Sequence, residues 1–282
     1  MSTCKRMRLL LLASLFSCAA SKTLDLVLSH FHEDAGRAVD FVSHVRGNLT
    51  QVSVARVFVY THDKNLSDGV FPSDWTVRRF DNIGRESYSY VLWLLEHTTA
   101  STMHEVSDFV WFSQAAPELD GWNERTNLMR RARELLTPHT GMLALGLTEI
   151  ARCEWGGSFS GTPWLHMREM YAMATHTLCN GWWPTFMNGE FIVSKKRVLH
   201  QPLSMWRYIK ELLEAPPGHF IHHEGETPER PHVYDSNRAD PIFGHMMERM
   251  WNPLFGCLDP PEPLRCCGPR ETCNEGDCQC LD

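Results

Sequence analysis

Segments with strand and helix character alternate from the start of the folded part of this chain, and this alternation limits its possible folds most strongly. The run 23–29 (Thr-Leu-Asp-Leu-Val-Leu-Ser) is largely apolar and predicts a buried strand. A helix is predicted over 35–45, and the run 53–60 (Ser-Val-Ala-Arg-Val-Phe-Val-Tyr) predicts a second strand. A strand-helix-strand opening is typical of a parallel sheet in an α/β domain.

The same alternation continues to about residue 251. Further strands are predicted at 75–80, 108–112, 141–147 and 191–194, and further helices at 85–97, 127–136, 164–178, 202–214 and 239–251. The proline-rich stretch 215–231 predicts a loop. We therefore expect one α/β domain over residues 23–256, with a mostly parallel central sheet flanked by helices.

The N-terminal segment has the pattern of a secretory signal peptide. A basic start is followed by an apolar run at 9–20 that ends in small residues. The run is shorter than the ~20 residues that a spanning helix needs. We expect residues 1–20 to be removed, leaving no stable membrane span and placing the protein in the lumen of the secretory pathway or outside the cell. A retained ER or Golgi anchor is the alternative.

Cysteine usage agrees with an oxidising compartment. The chain has ten cysteines; Cys4 and Cys18 lie in the signal segment, which leaves eight, an even number that predicts four disulfides. These are Cys153, Cys179, Cys257, Cys266, Cys267, Cys273, Cys278 and Cys280. The segment 257–282 has too few apolar residues for its own core, so we expect a disulfide-held appendage that shields an edge of the main domain or presents a loop to a partner.

The net charge argues against one class of partner, and two sequons predict glycosylation. The formal net charge of -7 argues against a nucleic-acid partner, because such proteins need a basic face for phosphates. Asn48 and Asn65 begin Asn-x-Thr and Asn-x-Ser sequons, which predict N-glycan acceptors on a secreted glycoprotein.

The first candidate site lies where a strand gives way to a helix, at Asn82-Ile-Gly-Arg-Glu-Ser. Free amides at a helix start attract anions, Gly84 allows close approach of the backbone, and Arg85 adds a guanidinium fork. Asn82, Gly84, Arg85 and Glu86 are therefore candidate substrate-binding residues, with a diphosphate as the expected anion. In the alternative, Asn82 or Asp81 caps the helix and Glu86 complements its dipole.

Further candidates lie at strand ends and on the last helix. Gln114 follows the strand at 108–112, whose end delivers it to the carboxyl edge where α/β sheets bind ligands, although it could simply cap the following turn. Glu190 precedes the strand at 191–194, and Glu248 lies in the last helix; either carboxylate could act as a catalytic base. Arg249 is a candidate substrate contact, while a structural Glu248–Arg249 ion pair is the alternative.

Histidine clusters raise the question of a metal. The segment 30–34 (His-Phe-His-Glu-Asp) follows the first strand, and 222–224 (His-His-Glu) lies in the proline-rich loop. His-x-His on a strand can hold zinc, but no further histidine completes either set, so structural or surface roles are expected. Asp34 alone is kept as a candidate substrate-binding residue because it follows the first strand.

Several of these segments together resemble a known family. The Asn82-Ile-Gly-Arg-Glu-Ser-Tyr-Ser-Tyr motif, the His-Glu-Asp at 32–34, the run 109–114, Phe-Ile-Val-Ser at 191–194 with Arg197, and Glu-Arg-x-Trp at 248–251 are similar to an uncharacterised, mainly fungal family whose hallmark is Asn-x-Gly-Arg-Glu. The resemblance covers about residues 25–256. The layout looks like that of a GT-A glycosyltransferase, in which a βαβ half binds a nucleotide sugar and a later strand ends in Asp-x-Asp with a divalent metal. Here that strand ends in Ser113-Gln114-Ala115, so a divalent metal is possible but its usual acidic pair is missing.

Two functions from different classes follow. The resemblance implies a glycosyltransferase-like protein that moves a sugar from a nucleotide donor to a glycan or protein hydroxyl. The alternative is a non-catalytic, secreted carbohydrate-binding protein that offers tryptophan faces to sugar rings. The tryptophans considered are Trp155, Trp164, Trp182 and Trp183.

Overall fold

The computed structural model describes residues 21–117, 128–146, 148–153, 166–179, 182–186, 188–222, 237–258 and 279–282. The predicted signal segment 1–20 and cysteines 266, 267, 273 and 278 lie outside these ranges. None of the described helices is long and apolar enough to cross a membrane.

The chain forms nine strands and seven α-helices within the described ranges. The strands are β1 (Lys22–His30), β2 (Val52–Thr61), β3 (Thr76–Arg79), β4 (Phe109–Gln114), β5 (Thr140–Ala144), β6 (Thr148–Arg152), β7 (Trp182–Phe186), β8 (Phe191–Ser194) and β9 (Gln279–Leu281). The helices are α1 (Ala35–Asn48), α2 (Arg85–His97), α3 (Leu128–Leu135), α4 (Met167–Thr175), α5 (Lys195–Val198), α6 (Leu203–Leu213) and α7 (Ile242–Leu254), and a short 3₁₀-helix covers Phe220–His222.

The central sheet has seven strands in the order β3-β2-β1-β4-β8-β5-β9. Strands β3, β2, β1 and β4 run parallel, whereas β8 runs antiparallel to both β4 and β5. The predicted α/β class and mostly parallel sheet are confirmed. A separate two-stranded sheet of β6 and β7 was not predicted.

Alternating side chains of the central strands build a hydrophobic core on each face of the sheet. Leu24, Leu26 and Leu28 of β1 pack with α1 and α3, whereas Val27 packs with α2, α6 and α7 on the other face. This is the period-2 alternation of a strand covered on both sides. Since β1, β2, β3 and β4 run parallel, their carboxyl ends lie together at one edge of the sheet.

The C-terminal residues belong to the central sheet. Strand β9 pairs antiparallel with β5, and the Asp282 carboxylate binds Arg197 at 2.7 Å. Residues 279–282 of the predicted appendage 257–282 therefore pair with the edge that β5 leaves, while the division of the chain into these domains stays a prediction. Whether the rest of the tail shields a sheet edge or presents a loop to a partner stays a prediction.

Two of the predicted disulfides are present among the described residues. One joins Cys153 to Cys179 and the other joins Cys257 to Cys280. The second connects Cys257, three residues after the end of α7, to strand β9. Disulfides of this kind fit a secreted-type protein.

Removal of the Cys257–Cys280 disulfide is expected to lower the free energy of unfolding by about 3 kcal/mol, because the bond closes a loop between residues 23 positions apart. The measurement is urea unfolding of C257S/C280S against the wild type without reductant. The control C153S/C179S removes a loop of similar sequence separation, 26, that does not involve β9. An unchanged stability in C257S/C280S would mean that the hydrogen bonds of β9 hold the C-terminus unaided.

Both predicted glycan acceptors are accessible. Asn48 is the last residue of α1 and Asn65 lies in the loop after β2, and both side chains are exposed. Glycan attachment at these asparagines stays a prediction.

Candidate functional site

The candidate site lies at the carboxyl edge of the central sheet, where β1 and β4 are neighbours. From β1 the chain continues to β2 on one side and returns later to β4 on the other. Such a change of direction opens a crevice in which α/β proteins bind ligands. The sequence candidates Gln114 and Glu190 both lie at this edge.

Antiparallel β8 brings Glu190 beside Gln114. Phe112 of β4 is paired with Phe191 of β8, so the residue before β8 faces the end of β4. The Leu145 amide donates to the Glu190 carbonyl at 2.9 Å, which fixes this backbone to the end of β5 as well. The structure therefore brings together two of the predicted site residues.

A tight turn before β8 gives Glu190 its position. Asn188 and Gly189 have φ values of 68° and 62°, the left-handed region that asparagine and glycine tolerate best. A Cβ atom on Gly189 would lie 3.1 Å from Cγ of Glu86 and 3.4 Å from Cε2 of Tyr90. The absence of that Cβ lets α2 approach the turn. The Asn-Gly pair was the sequence signal that could have marked this turn.

Glu86 and Glu190 are buried carboxyls with incomplete hydrogen bonding. Their exposed fractions are 6% and 4%. Oε1 of Glu86, Oε2 of Glu190 and the Tyr90 hydroxyl are buried without a hydrogen-bond partner among the described residues. An unmatched buried polar atom is costly, so these three atoms are candidates for hydrogen bonds to a ligand.

Burial sets the charge of Glu190. Loss of solvation raises the pKa of Glu190 to about 8. Hydrogen bonds from the backbone of Gln114 and the side chain of Ser113 lower this pKa, and the charge of Glu86 raises it. The Glu190 carboxyl is therefore neutral over most of the range below pH 8.

Glu86 has a related environment at the start of α2. Burial raises the pKa of Glu86, Arg85 lowers it, and Glu248 raises it. Burial outweighs the adjacent guanidinium, so Glu86 also favours its neutral form more than an exposed glutamate does.

Arg85 is the cation at the centre of a cluster of three carboxylates. Its guanidinium lies 3.2 Å from the Glu248 carboxylate, 3.5 Å from that of Glu86 and 3.6 Å from that of Asp240. Burial opposes the charge of Arg85, but these three carboxylates raise its pKa above the usual value. Arg85 Nη1 also contacts the ring of His245, at 2.6 Å from Nδ1. Asp240 and His245 were not among the sequence candidates, because only the tertiary fold places them beside α2.

Glu248 is held between two arginines. Its carboxylate oxygens lie 3.2 Å from Arg85 and 3.0 Å from Arg249. Burial raises the pKa of Glu248, whereas both guanidiniums lower it. Burial prevails, so the net direction is a raised pKa. Because both oxygens of Glu248 are held by guanidiniums, we assign Glu248 a structural role rather than that of a base.

Arg249 also points into the protein. It is 4% exposed, and its Nη1 donates to the His245 carbonyl at 2.6 Å. Its own carbonyl accepts a hydrogen bond from Trp183 Nε1 at 2.7 Å. The geometry favours the structural alternative over a substrate contact.

The predicted anion site at the start of α2 is wrong in its original form. The Gly84 amide donates to the Arg238 carbonyl at 3.0 Å, and the Arg85 amide donates to the Ala239 carbonyl at 3.2 Å. These amides are therefore occupied by protein groups. The alternative that Asn82 or Asp81 caps the helix is wrong as well, because the N-cap is Gly84, with φ of 67°, and no side chain caps the helix. Its other part agrees with the structure, since Glu86 is the acidic residue of the first turn. Asn82 is half-buried beside this turn.

Asp34 is the N-cap of α1. Its carboxylate accepts the Gly36 amide at 2.8 Å, and the residue is exposed. This contact accounts for its position without a ligand. The predicted substrate-binding role of Asp34 is therefore unsupported.

The donors at the end of β4 do not fit the divalent metal that the glycosyltransferase resemblance implies. Ser113 Oγ donates to the Gln114 carbonyl at 3.0 Å, and Gln114 supplies an amide where an acidic pair would be needed. No group of three or more histidine, cysteine, aspartate or glutamate side chains within the described ranges is arranged to hold a metal ion. We therefore derive no step through a metal.

A neutral polar chain lies under the same edge. Ser29 Oγ lies 2.8 Å from Ser89 Oγ, which in turn lies 3.4 Å from His62 Nε2. Burial lowers the pKa of His62 to about 4, so its imidazole is neutral at physiological pH. This chain joins β1, α2 and the residue that follows β2 without adding charge to the site.

The tryptophan faces considered for sugar binding are only partly described. Trp183 is 1% exposed and belongs to the core, so it offers no face to a ligand. Trp155, Trp164 and the side chain of Trp182 lie outside the described residues.

Comparisons with protein-family models and with curated proteins gave no match. The resemblance to the Asn-x-Gly-Arg-Glu family therefore stays a prediction.

Proposed function

We propose that the carboxyl edge binds a nucleotide sugar and transfers its sugar to a hydroxyl of a glycan or protein, with Glu190 as the acid–base group. The observation that carries this proposal is the Glu190 carboxyl beside Gln114 at the carboxyl edge of the sheet, which is buried, lacks a partner at Oε2 among the described residues and has its pKa raised to about 8. A general base works best when its pKa lies near the working pH.

The proposed step is a displacement at the anomeric carbon of the donor sugar. The acceptor hydroxyl gives its proton to the Glu190 carboxylate, and its oxygen forms a bond to the anomeric carbon. The bond from that carbon to the diphosphate oxygen breaks, and the nucleoside diphosphate leaves with the electron pair. Only the ionised form of Glu190 accepts the proton, so turnover is expected to rise with pH as Glu190 ionises near pH 8.

Gln114 and Arg85 have different parts in this proposal. Gln114 is half-buried at the edge, so its side-chain amide can hydrogen-bond a sugar hydroxyl or a base. Arg85 is neutralised by surrounding carboxylates, so its role is to hold the cluster together. This replaces the idea that the Gly84 and Arg85 amides hold the diphosphate.

The compartment is part of the proposal. The disulfides Cys153–Cys179 and Cys257–Cys280 support an oxidising environment. We propose that the mature protein acts in the secretory pathway or after secretion.

Ligand-dependent stabilisation tests the proposal. The folded protein is expected to gain thermal stability from one nucleoside diphosphate or its nucleotide sugar, by about 2.7 kcal/mol when the ligand is at 100 times its Kd. Thermal unfolding is measured with uridine, guanosine, cytidine and adenosine diphosphates, with and without Mn²⁺. The matched nucleotide sugar is then tested for transfer and for hydrolysis.

Two results would contradict the proposal. If none of these nucleotides stabilises the folded protein, the proposal of a nucleotide-sugar donor is contradicted. Glycan binding without turnover, unaffected in E190Q, would favour the carbohydrate-binding protein instead.

A further inference from the structure

The end of strand β5 lies at the same edge of the sheet as the candidate site. Strand β8 runs antiparallel to both β4 and β5, so β5 runs parallel to β4. Ala144, the last residue of β5, therefore lies at the carboxyl edge together with Gln114, the last residue of β4. The amides of Leu145 and Gly146 continue this edge, since both donate to the Glu190 carbonyl, at 2.9 and 3.3 Å.

A buried arginine is fixed at the end of β5. Arg131 of α3 is 4% exposed, and its Nε and Nη2 donate to the Ala144 carbonyl at 3.1 and 2.8 Å. Both bonds use one edge of the planar guanidinium, so the edge that contains Nη1 is left for a second acceptor. Within the described part of the chain, Arg131 makes no other hydrogen bond and no ion pair.

Comparison with Arg249 shows what Arg131 lacks. Arg249 is also 4% exposed, but the Glu248 carboxylate lies 3.0 Å from its Nη1. A buried charge is costly unless an opposite charge accompanies it, and a neutral carbonyl does not supply one. Arg131 therefore carries a buried positive charge for which the described residues provide no counter-ion.

We propose that Arg131 binds a phosphate group of a ligand at the carboxyl edge of the sheet. The guanidinium edge that contains Nη1 presents two N–H groups that match two oxygens of a phosphate. The bound phosphate supplies the missing negative charge, while the Ala144 carbonyl keeps the guanidinium oriented. This assigns the phosphate contact to α3, since the amides at the start of α2 are occupied.

The identification of this phosphate as part of the donor's diphosphate rests on the proposed transferase function, whereas the anion site itself does not. Crevices at the carboxyl edge of open α/β sheets bind nucleotides in this way. The role of Arg131 is therefore tested first with an anion that carries neither a sugar nor a base.

Thermal unfolding of the purified protein with increasing inorganic diphosphate at low ionic strength tests the proposal. Diphosphate is expected to raise the Tm of the wild type in a saturable manner. In R131Q the apparent Kd for diphosphate is expected to rise at least about tenfold, because the charged donors are lost. R131K keeps the charge but not the planar fork, and its Kd is expected to lie between the two.

A charge-matched control lies on the same helix. Arg133 is exposed and pairs with Glu134 at 3.4 Å. R133Q removes the same charge as R131Q, two residues away. Its apparent Kd for diphosphate is expected to stay within about twofold of the wild-type value, because exposed charges are largely screened.

Wild-type measurements with sodium acetate at equal ionic strength, together with R131K, cover the case in which R131Q fails to fold. No stabilisation by diphosphate, equal stabilisation by acetate, or a wild-type Kd in R131Q and R131K would each overturn the proposal. Arg131-dependent diphosphate binding without turnover of any nucleotide sugar would keep the anion site and contradict the transferase. Sugar transfer by R131Q with an unchanged donor KM would support the transferase and overturn the role of Arg131.

Discussion

Replacement of Arg85 by alanine is expected to lower the free energy of unfolding by about 3 kcal/mol at pH 8, because it leaves carboxylates inside the protein without their cation. Glu248 would keep only Arg249, and Glu86 would lose the one guanidinium that lowers its pKa. Urea unfolding of R85A and wild type at pH 5 and pH 8 measures the loss.

The pH dependence of this loss has a definite sign. Arg85 lowers the pKa of Glu86 and of Glu248, so its contribution is present when these carboxylates are ionised and decreases as acid protonates them. The destabilisation in R85A is therefore expected to be smaller at pH 5 than at pH 8. Equal losses at both pH values would mean that Arg85 acts through packing alone.

An ion pair at the opposite end of the sheet provides the control. Arg56 binds the buried Asp25 carboxylate at 3.0 and 2.6 Å, near the amino end of β1. R56A is expected to destabilise the protein to a similar degree without altering the titration of Glu190.

In the double variant R85A/E248Q the loss of unfolding free energy is expected to be less than the sum of the single losses, since the two groups contact each other.

Replacement of Glu190 by glutamine is expected to stabilise the protein at pH 8 while reducing sugar transfer by at least about 100-fold. The pKa of Glu190 is raised from 4.5 in its usual state to about 8 in the folded protein. The folded state therefore binds one more proton than the unfolded chain between these pH values. Stability from this group is fully present below pH 4.5 and is lost as the pH rises to about 8, by roughly 1.4 kcal/mol for each pH unit.

Glutamine keeps the shape of Glu190 but has no proton to lose. E190Q should therefore have a flatter dependence of unfolding free energy on pH between 4.5 and 8 than the wild type. A gain in stability together with a loss of activity is the usual result when a destabilising catalytic group is replaced. Parallel pH profiles for the two proteins would contradict the buried, proton-binding state of Glu190, and E190Q with full turnover would contradict its role as the base.

The sequence was sufficient for the elements that carry this site. Apolar alternation predicted β1 and β2, and helical spacing predicted α2 and α7, because these patterns depend on neighbours within a few residues. The position of Gln114 at a strand end followed from the same patterns.

Other features needed contacts between distant segments. The carbonyls of Arg238 and Ala239 accept hydrogen bonds from the amides of Gly84 and Arg85. These amides are therefore not free to bind an anion, although the local motif predicted that they would be. Strand β9 comes from a cysteine-rich tail that lacks a strand pattern, and its pairing depends on the open edge of β5. Local sequence carries no signal for either contact.

By itself, the sequence determined the α/β class, the order of the first strands and helices, and the candidates Glu86, Gln114 and Glu190, because periodicity and strand ends are local properties of the chain. Only the tertiary structure decided which carboxyl lacks a cation. Glu248 is paired with Arg85 and Arg249, whereas Glu190 is buried and its Oε2 has no hydrogen-bond partner among the described residues. The pKa of a carboxyl depends on the solvent and charges around it, and these are supplied by segments that meet only in the folded protein.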